Sequence, residues 1–140
     1  MHYVAGILLI GEPGAAIYEK GLPLAAMLER AGYRIGLMEP VSGERQTLEE
    51  KMIAWADQMK LDLILIMGGI SQKPGNPVTE AAEAVCGQMI PEIAEAMAFS
   101  GTAGIRNESI ILNLPGTPQT AKEILQPVLP ALQQALSMLK

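Results

Sequence analysis

The chain has 140 residues, one domain by size and long enough to bury a substantial core. Hydrophobic residues make up 49% and charged residues 18%, with a net charge of −5; this balance excludes a general nucleic-acid surface, which needs clustered Lys and Arg. Cys86 is the only cysteine and His2, at the N-terminus, the only histidine, so disulfides, cysteine metal sites, histidine catalysis and histidine-ligated zinc are excluded.

Tyr3–Ile10 reads as a first strand that closes on Gly11-Glu12-Pro13-Gly14. Its apolar part is too short to span a bilayer, lacks a basic flank and soon meets Glu12, so no membrane role and a cytoplasmic location are expected. A helix is predicted from about Leu22-Pro23, with Leu24, Met27, Leu28 and Ala31 on one face and Gly32 at its C-terminal cap. Tyr33–Met38 reads as a second strand, followed by the turn-rich segment Glu39–Gly43. Thr47 and Glu50 have capping-box spacing, and Leu48, Met52, Trp55 and Met59 behind them form a core-facing stripe.

Leu61–Met67 is short, unalternating and rich in aliphatic residues, as a strand buried on both faces of a parallel sheet should be. It stops on Gly68-Gly69 and a polar loop, Ile70–Gly75. Asn76-Pro77 pairs a good N-cap with an N1 proline, opening a helix with Val78, Ala81, Ala82 and Val85 inward and Gly87 at its end. A second helical piece runs from about Pro91 to Ala98, with Ile90, Ile93, Ala94 and Met97 as its apolar face, and Ser100–Gly104 reads as a flexible connection. Ser109–Leu114 is another buried strand, ending on Pro115-Gly116. The last helix starts at Thr117-Pro118, kinks or restarts at Pro127 and Pro130, and continues its buried stripe through Leu132, Leu136 and Leu139.

Strands alternating with helices predict a single α/β domain over residues 1–140, a three-layer αβα fold with a mostly parallel sheet. Right-handed crossovers place the first three strands in the order 2-1-3 and open the Gly68-Gly69 and Pro115-Gly116 turns on one edge. Gly11-Glu12-Pro13-Gly14 lacks the middle glycine of a dinucleotide fingerprint, and no Walker-type ending is present. In the Gly68–Asn76 segment, glycines allow close backbone approach, Ser71 supplies a hydroxyl, Lys73 a charge and the helix start an anion site. A plain strand-to-helix turn with a capped helix accounts for the same residues.

Gly68-Gly69 after an apolar strand, Pro74, Glu80-Ala81 and Ile111–Pro118 together resemble the Mog/MoaB family of molybdenum cofactor biosynthesis. The Leu-Pro-Gly-x-Pro ending at Leu114–Pro118 is the most specific part, Ile17–Pro23 is also similar, and the resemblance covers nearly the whole chain. It implies a domain, commonly trimeric, that binds the pterin dithiolene of molybdopterin, and whose catalytic members adenylylate molybdopterin with ATP and Mg²⁺. On this resemblance the ligand site comprises Gly68, Gly69, Ser71, Asn76, Glu80, Pro115, Gly116 and Thr117.

Several positions depart from the family pattern. Its Gly-Gly-Thr-Gly loop has Ile70 and Ser71 at the last two places, and its Arg-Asp pair falls on Gly75-Asn76. A second family Asp falls near Ser42-Gly43-Glu44, a Ser-Asp turn has become Gly11-Glu12, and the stretch at Ala98–Arg106 is short. Adenylyl transfer needs Mg²⁺ held by one or two carboxylates, and an amide at Asn76 brings no charge. Glu12, Glu39 and Glu44 follow strand ends and are the available replacements, Glu12 and Glu44 being the candidate catalytic pair; simple solvation explains loop glutamates equally.

Three functions therefore compete. The first is binding of molybdopterin or a related pterin phosphate with weak adenylyl transfer. The second is an active adenylyltransferase, or a nucleotide pyrophosphatase like the related competence-damage proteins, using rearranged carboxylates. The third is a non-binding interaction protein. The low charge fraction predicts a homo-oligomer, and the resemblance implies a trimer.

Overall fold

The computed structural model describes residues 3–68, 77–97, 101–114 and 117–139. Its single sheet contains β1 (Tyr3–Ile10), β2 (Tyr33–Val41), β3 (Leu63–Met67), β4 (Gln88–Met89), β5 (Ala103–Arg106) and β6 (Ser109–Leu114), in the order β2-β1-β3-β6-β5-β4. The first four strands in that order are parallel, whereas β5 is antiparallel to β6 and β4 antiparallel to β5. α1 (Ala15–Arg30), α4 (Pro91–Ala96), α5 (Pro118–Leu125) and α6 (Leu129–Leu139) pack on one face, and α2 (Arg45–Ile53) and α3 (Pro77–Val85) on the other.

The central position of β3 explains its sequence. Leu63, Leu65 and Met67 enter one core while Ile64 and Ile66 enter the other, so all five are buried and no alternation survives. Burying each such side chain contributes roughly 1.5–3 kcal/mol, which makes β3 the axis of the fold. Its C-terminal end lies beside those of two neighbours, with Met67 paired to Leu9 on one side and Leu114 on the other.

Several expectations need correction. α1 begins at Ala15, seven residues before Leu22, and Pro23 lies inside it. Ile17, Gly21, Leu24, Ala25 and Leu28 are buried at helical spacing, and this burial outweighs the roughly 3 kcal/mol that an interior proline costs. α2 starts at Arg45 without a side-chain cap, so Thr47 is a helical residue rather than the N-cap. Just before α2, the Glu44 N–H donates to Ser42 Oγ at 3.2 Å and orders the turn instead. After α2 the helix widens into a π-helical turn at Ala54–Gln58, which shifts the phase of the stripe. Leu48, Met52 and Trp55 remain buried, but Met59 emerges 52% exposed.

β2 extends to Val41 and absorbs Glu39 and Pro40, a proline that an edge strand tolerates. β3 starts at Leu63 because the Leu61 N–H donates to the Trp55 carbonyl and stays with the preceding turn. The larger omission is the β4–β5 extension of the sheet: Ala103 and Gly104, expected in the flexible connection Ser100–Gly104, belong to Ala103–Arg106, which pairs antiparallel with Ser109–Leu112. Asn107 turns this hairpin at φ 53°, a conformation asparagine adopts readily.

The hairpin is pinned to the π-helical turn. Arg106 donates to both Asp57 carboxylate oxygens, at 3.1 and 2.8 Å, and Asn107 Nδ2 donates to one of them at 2.7 Å. The Arg106 hydrogen bonds hold the Asp57 carboxyl below its ordinary value of 3.8. A depressed folded-state value contributes stability above the unfolded value, and that contribution disappears as pH falls through the folded value. Denaturation midpoints measured from pH about 5 downwards should therefore fall less steeply in Asp57→Asn than in the parent chain, although the variant starts less stable at neutral pH. Equal slopes would show that this pair does not link protonation to folding.

Candidate functional site

The four parallel strands all end on one edge, where Ile10 pairs with Val41, Leu9 with Met67 and Met67 with Leu114. This edge, at the topological switch point beside β1, is the usual ligand position in an open α/β sheet. Gly68 closes β3 at φ +113°, and a Cβ placed there would lie 3.2 Å from the Ile10 carbonyl oxygen. A side chain there would have to push the two strand ends apart by a few tenths of an ångström, in a backbone conformation that favours glycine. Thr117 caps α5 as expected, its Oγ1 accepting the Thr120 N–H at 3.3 Å, with Pro118 in the first turn.

Of the predicted ligand residues, Gly68, Glu80 and Thr117 fall within the described structure, while Gly69, Ser71, Asn76, Pro115 and Gly116 lie outside the described residues. Gly68 and Thr117 follow the ends of adjacent strands, as the two-turn reading requires. Glu80 occupies the first turn of α3, where the helix dipole favours a carboxylate, and accepts from Arg45 Nη1 at 3.2 Å. Arg45 also approaches Glu49 at 3.6 Å, so Glu80 joins a surface network tying α3 to α2.

The carboxylates near the strand ends separate into two classes. Lys51 binds Glu39 at 2.8 Å and Arg45 binds Glu80, whereas the side chains of Glu12 and Glu44 make no hydrogen bond or ion pair with any described residue. Glu12 borders a cleft of about 410 Å³ formed by Ile10–Pro13 and Pro40–Gly43, and Glu44 stands at the N-terminal boundary of α2. Among the described residues no group of three or more His, Cys, Asp or Glu side chains converges on one point. A Mg²⁺ brought here on ligand phosphates would need one or two carboxylates, and Glu12 and Glu44 are the unengaged ones.

Sequence reasoning overlooked Asn113 as a site residue, although it lies in the Leu-Pro-Gly-x-Pro strand. Its side chain is fully buried, and its Nδ2 donates to Thr102 Oγ1 at 2.7 Å. Its Oδ1 has no hydrogen-bond partner among the described residues, one residue before β6 ends. A buried acceptor without a partner costs roughly 1–3 kcal/mol, which a ligand donor or an ordered water relieves. The signal was a lone amide in an otherwise aliphatic strand. Burial pushes the Cys86 thiol up to about 11, which disfavours its thiolate.

This geometry meets its counterpart among known proteins. The model of a family described as a probable molybdopterin binding domain matches residues 13–134. The chain belongs to this family. The chain is similar to a molybdopterin adenylyltransferase from Helicobacter pylori, 33% identical over 113 residues, which cover 72% of this chain and 64% of that protein. A molybdopterin adenylyltransferase from Haemophilus influenzae is 31% identical over 135 residues, covering 81% of this chain and 66% of that protein. The chain thus spans less than two thirds of the length of the Helicobacter relative. The crystal structure of the molybdopterin biosynthesis enzyme MoaB from Thermus thermophilus superposes with a TM-score of 0.87 at 31% identity, covering 98% of this chain and 96% of that one. The Mog protein from Mycobacterium ulcerans, at 23% identity and a TM-score of 0.83, shares the fold. The αβα family fold, its mostly parallel sheet and its Mog/MoaB likeness are therefore those expected from the motifs. No helix among the described residues is long and apolar enough to cross a membrane.

Proposed function

We propose that this family member acts in molybdenum cofactor biosynthesis by binding molybdopterin, or a related pterin phosphate, at the sheet edge beside β1. The observation that carries the reading is the close approach of Gly68 to the Ile10 carbonyl, eased by the missing Cβ, at the sheet edge where an open α/β fold takes its ligands. The helix starts at Pro77 and Pro118 follow the same edge, and helix N-termini favour anions. Adenylyl transfer from MgATP is expected to be slow, because Asn76 replaces a family carboxylate and Ile70 a family threonine. Titration with molybdopterin and an AMP-transfer assay test this directly. Binding with little turnover is the expected result, and turnover comparable to the adenylyltransferases above overturns it.

A second reading is an active molybdopterin adenylyltransferase. The names of the relatives favour it, as do the unengaged side chains of Glu12 and Glu44. Glu44→Gln separates the two: it abolishes turnover if Glu44 helps to hold Mg²⁺, and leaves molybdopterin affinity unchanged if the chain only binds. A homo-oligomer accompanies both readings, supported by Tyr18 and Leu22, exposed one helical turn apart on α1.

A further inference from the structure

The cleft between the ends of β1 and β2 has a distinctive polarity. Ile10, Pro13, Pro40 and Val41 supply apolar walls, and the two prolines carry no N–H to satisfy. Glu12 is the one charged residue of its lining, exposed and without a partner among the described residues. Ser42 Oγ already accepts the Glu44 N–H, so its hydroxyl proton is free to be donated. A phosphate beside Glu12 would meet a like charge, whereas a flat neutral ring would meet apolar walls and two acceptor oxygens. The cleft and Gly68 lie on opposite sides of β1, so the edge divides into a ring-accepting half beside β2 and a backbone-lined half beside β3.

We infer that the Glu12 carboxylate is a specificity-determining group that recognises the 2-amino-4-oxo edge of a pteridine ring. That edge presents two adjacent N–H donors, from the 2-amino group and N3, and a carboxylate accepts both in a bidentate, charge-assisted pair. The inference rests on the binding function proposed above and gives Glu12 a role in ring selection in place of metal ligation. A lumazine ring, which carries a 2-oxo group in place of the 2-amino group, turns an acceptor towards the carboxylate and is repelled.

The test uses the full chain with free pterin and free lumazine, both followed by their fluorescence, with and without EDTA. The parent chain is expected to prefer pterin by roughly tenfold or more, because mismatched hydrogen-bonding edges leave polar groups unpaired. Glu12→Gln should abolish the preference: its carboxamide offers one acceptor and one donor, which match N3–H and the 2-oxo group of lumazine and equally N3–H and the 4-oxo group of pterin. Thermal unfolding of the variant should be unchanged, since Glu12 is exposed. Retention of the pterin preference in Glu12→Gln overturns the inference, as does a preference that EDTA abolishes, which would place a metal between Glu12 and the ring. Failure of the parent chain to bind either pterin or molybdopterin overturns the binding function itself, and this inference with it.

Discussion

Gly6→Val is expected to destabilise the chain by about 3 kcal/mol or more, through overpacking at a site that cannot relax. An ideal Cβ at Gly6 would lie 2.6 Å from both Leu61 Cδ1 and Trp55 Cζ3, and 2.8 Å from Trp55 Cε3. Trp55 is itself buried between α2 and the sheet, with Leu48, Met52 and Ile64 in the same core, so the ring has no free space to move into. Two further methyl groups on the valine can only push the π-helical turn away from β1. Urea denaturation reads the loss, with Gly87→Ala as the comparison, since the nearest atom to a Cβ there is 4.0 Å away. An unchanged midpoint in Gly6→Val would mean that Trp55 does not sit on β1.

Gly68→Ala should lower stability by about 2 kcal/mol, because its positive φ is a conformation that L-residues hold only under strain. Its new Cβ also stands 3.2 Å from the Ile10 carbonyl oxygen and must push the β1 and β3 ends apart. Site geometry is more sensitive than stability to such a shift, and a weakening of molybdopterin binding of roughly tenfold or more is expected. Gly32→Ala separates the two effects. Gly32 has a similar φ of +101°, follows α1 at the opposite edge of the sheet, and has nothing within 4 Å of a Cβ. It should lose stability but keep its ligand. Equal loss of binding in both variants would show that Gly68 acts through stability alone.

How much of this was legible depended on the range of the interactions involved. β1, β3 and β6 could be read because burial on both faces writes itself into a mostly aliphatic run without alternation. The starts of α3 and α5 were equally plain, since N1 prolines mark them locally. α1 was read seven residues short because Pro23 is a strong local signal that long-range burial of Ile17 and Gly21 overrides. The Ala103–Arg106 strand was missed because it is short, half-buried and defined by its partner β6. Met59 was misplaced because a π-helical turn changes phase without any local marker.

The site divides in the same way. The motifs alone determined the family, the αβα architecture, the 2-1-3 strand order and the shared edge on which β3 and β6 end, because chain order and crossover handedness leave little freedom. Only the tertiary structure decided which carboxylates remain available there. Glu39 is paired with Lys51, twelve positions along the chain, and Glu80 with Arg45, thirty-five positions back, while Glu12 borders a cleft without a partner among the described residues. The open acceptor of Asn113 is likewise set by a residue, Thr102, on another strand's approach. A carboxylate's chemistry depends on the charge that reaches it through space, and spacing along the chain does not carry that information.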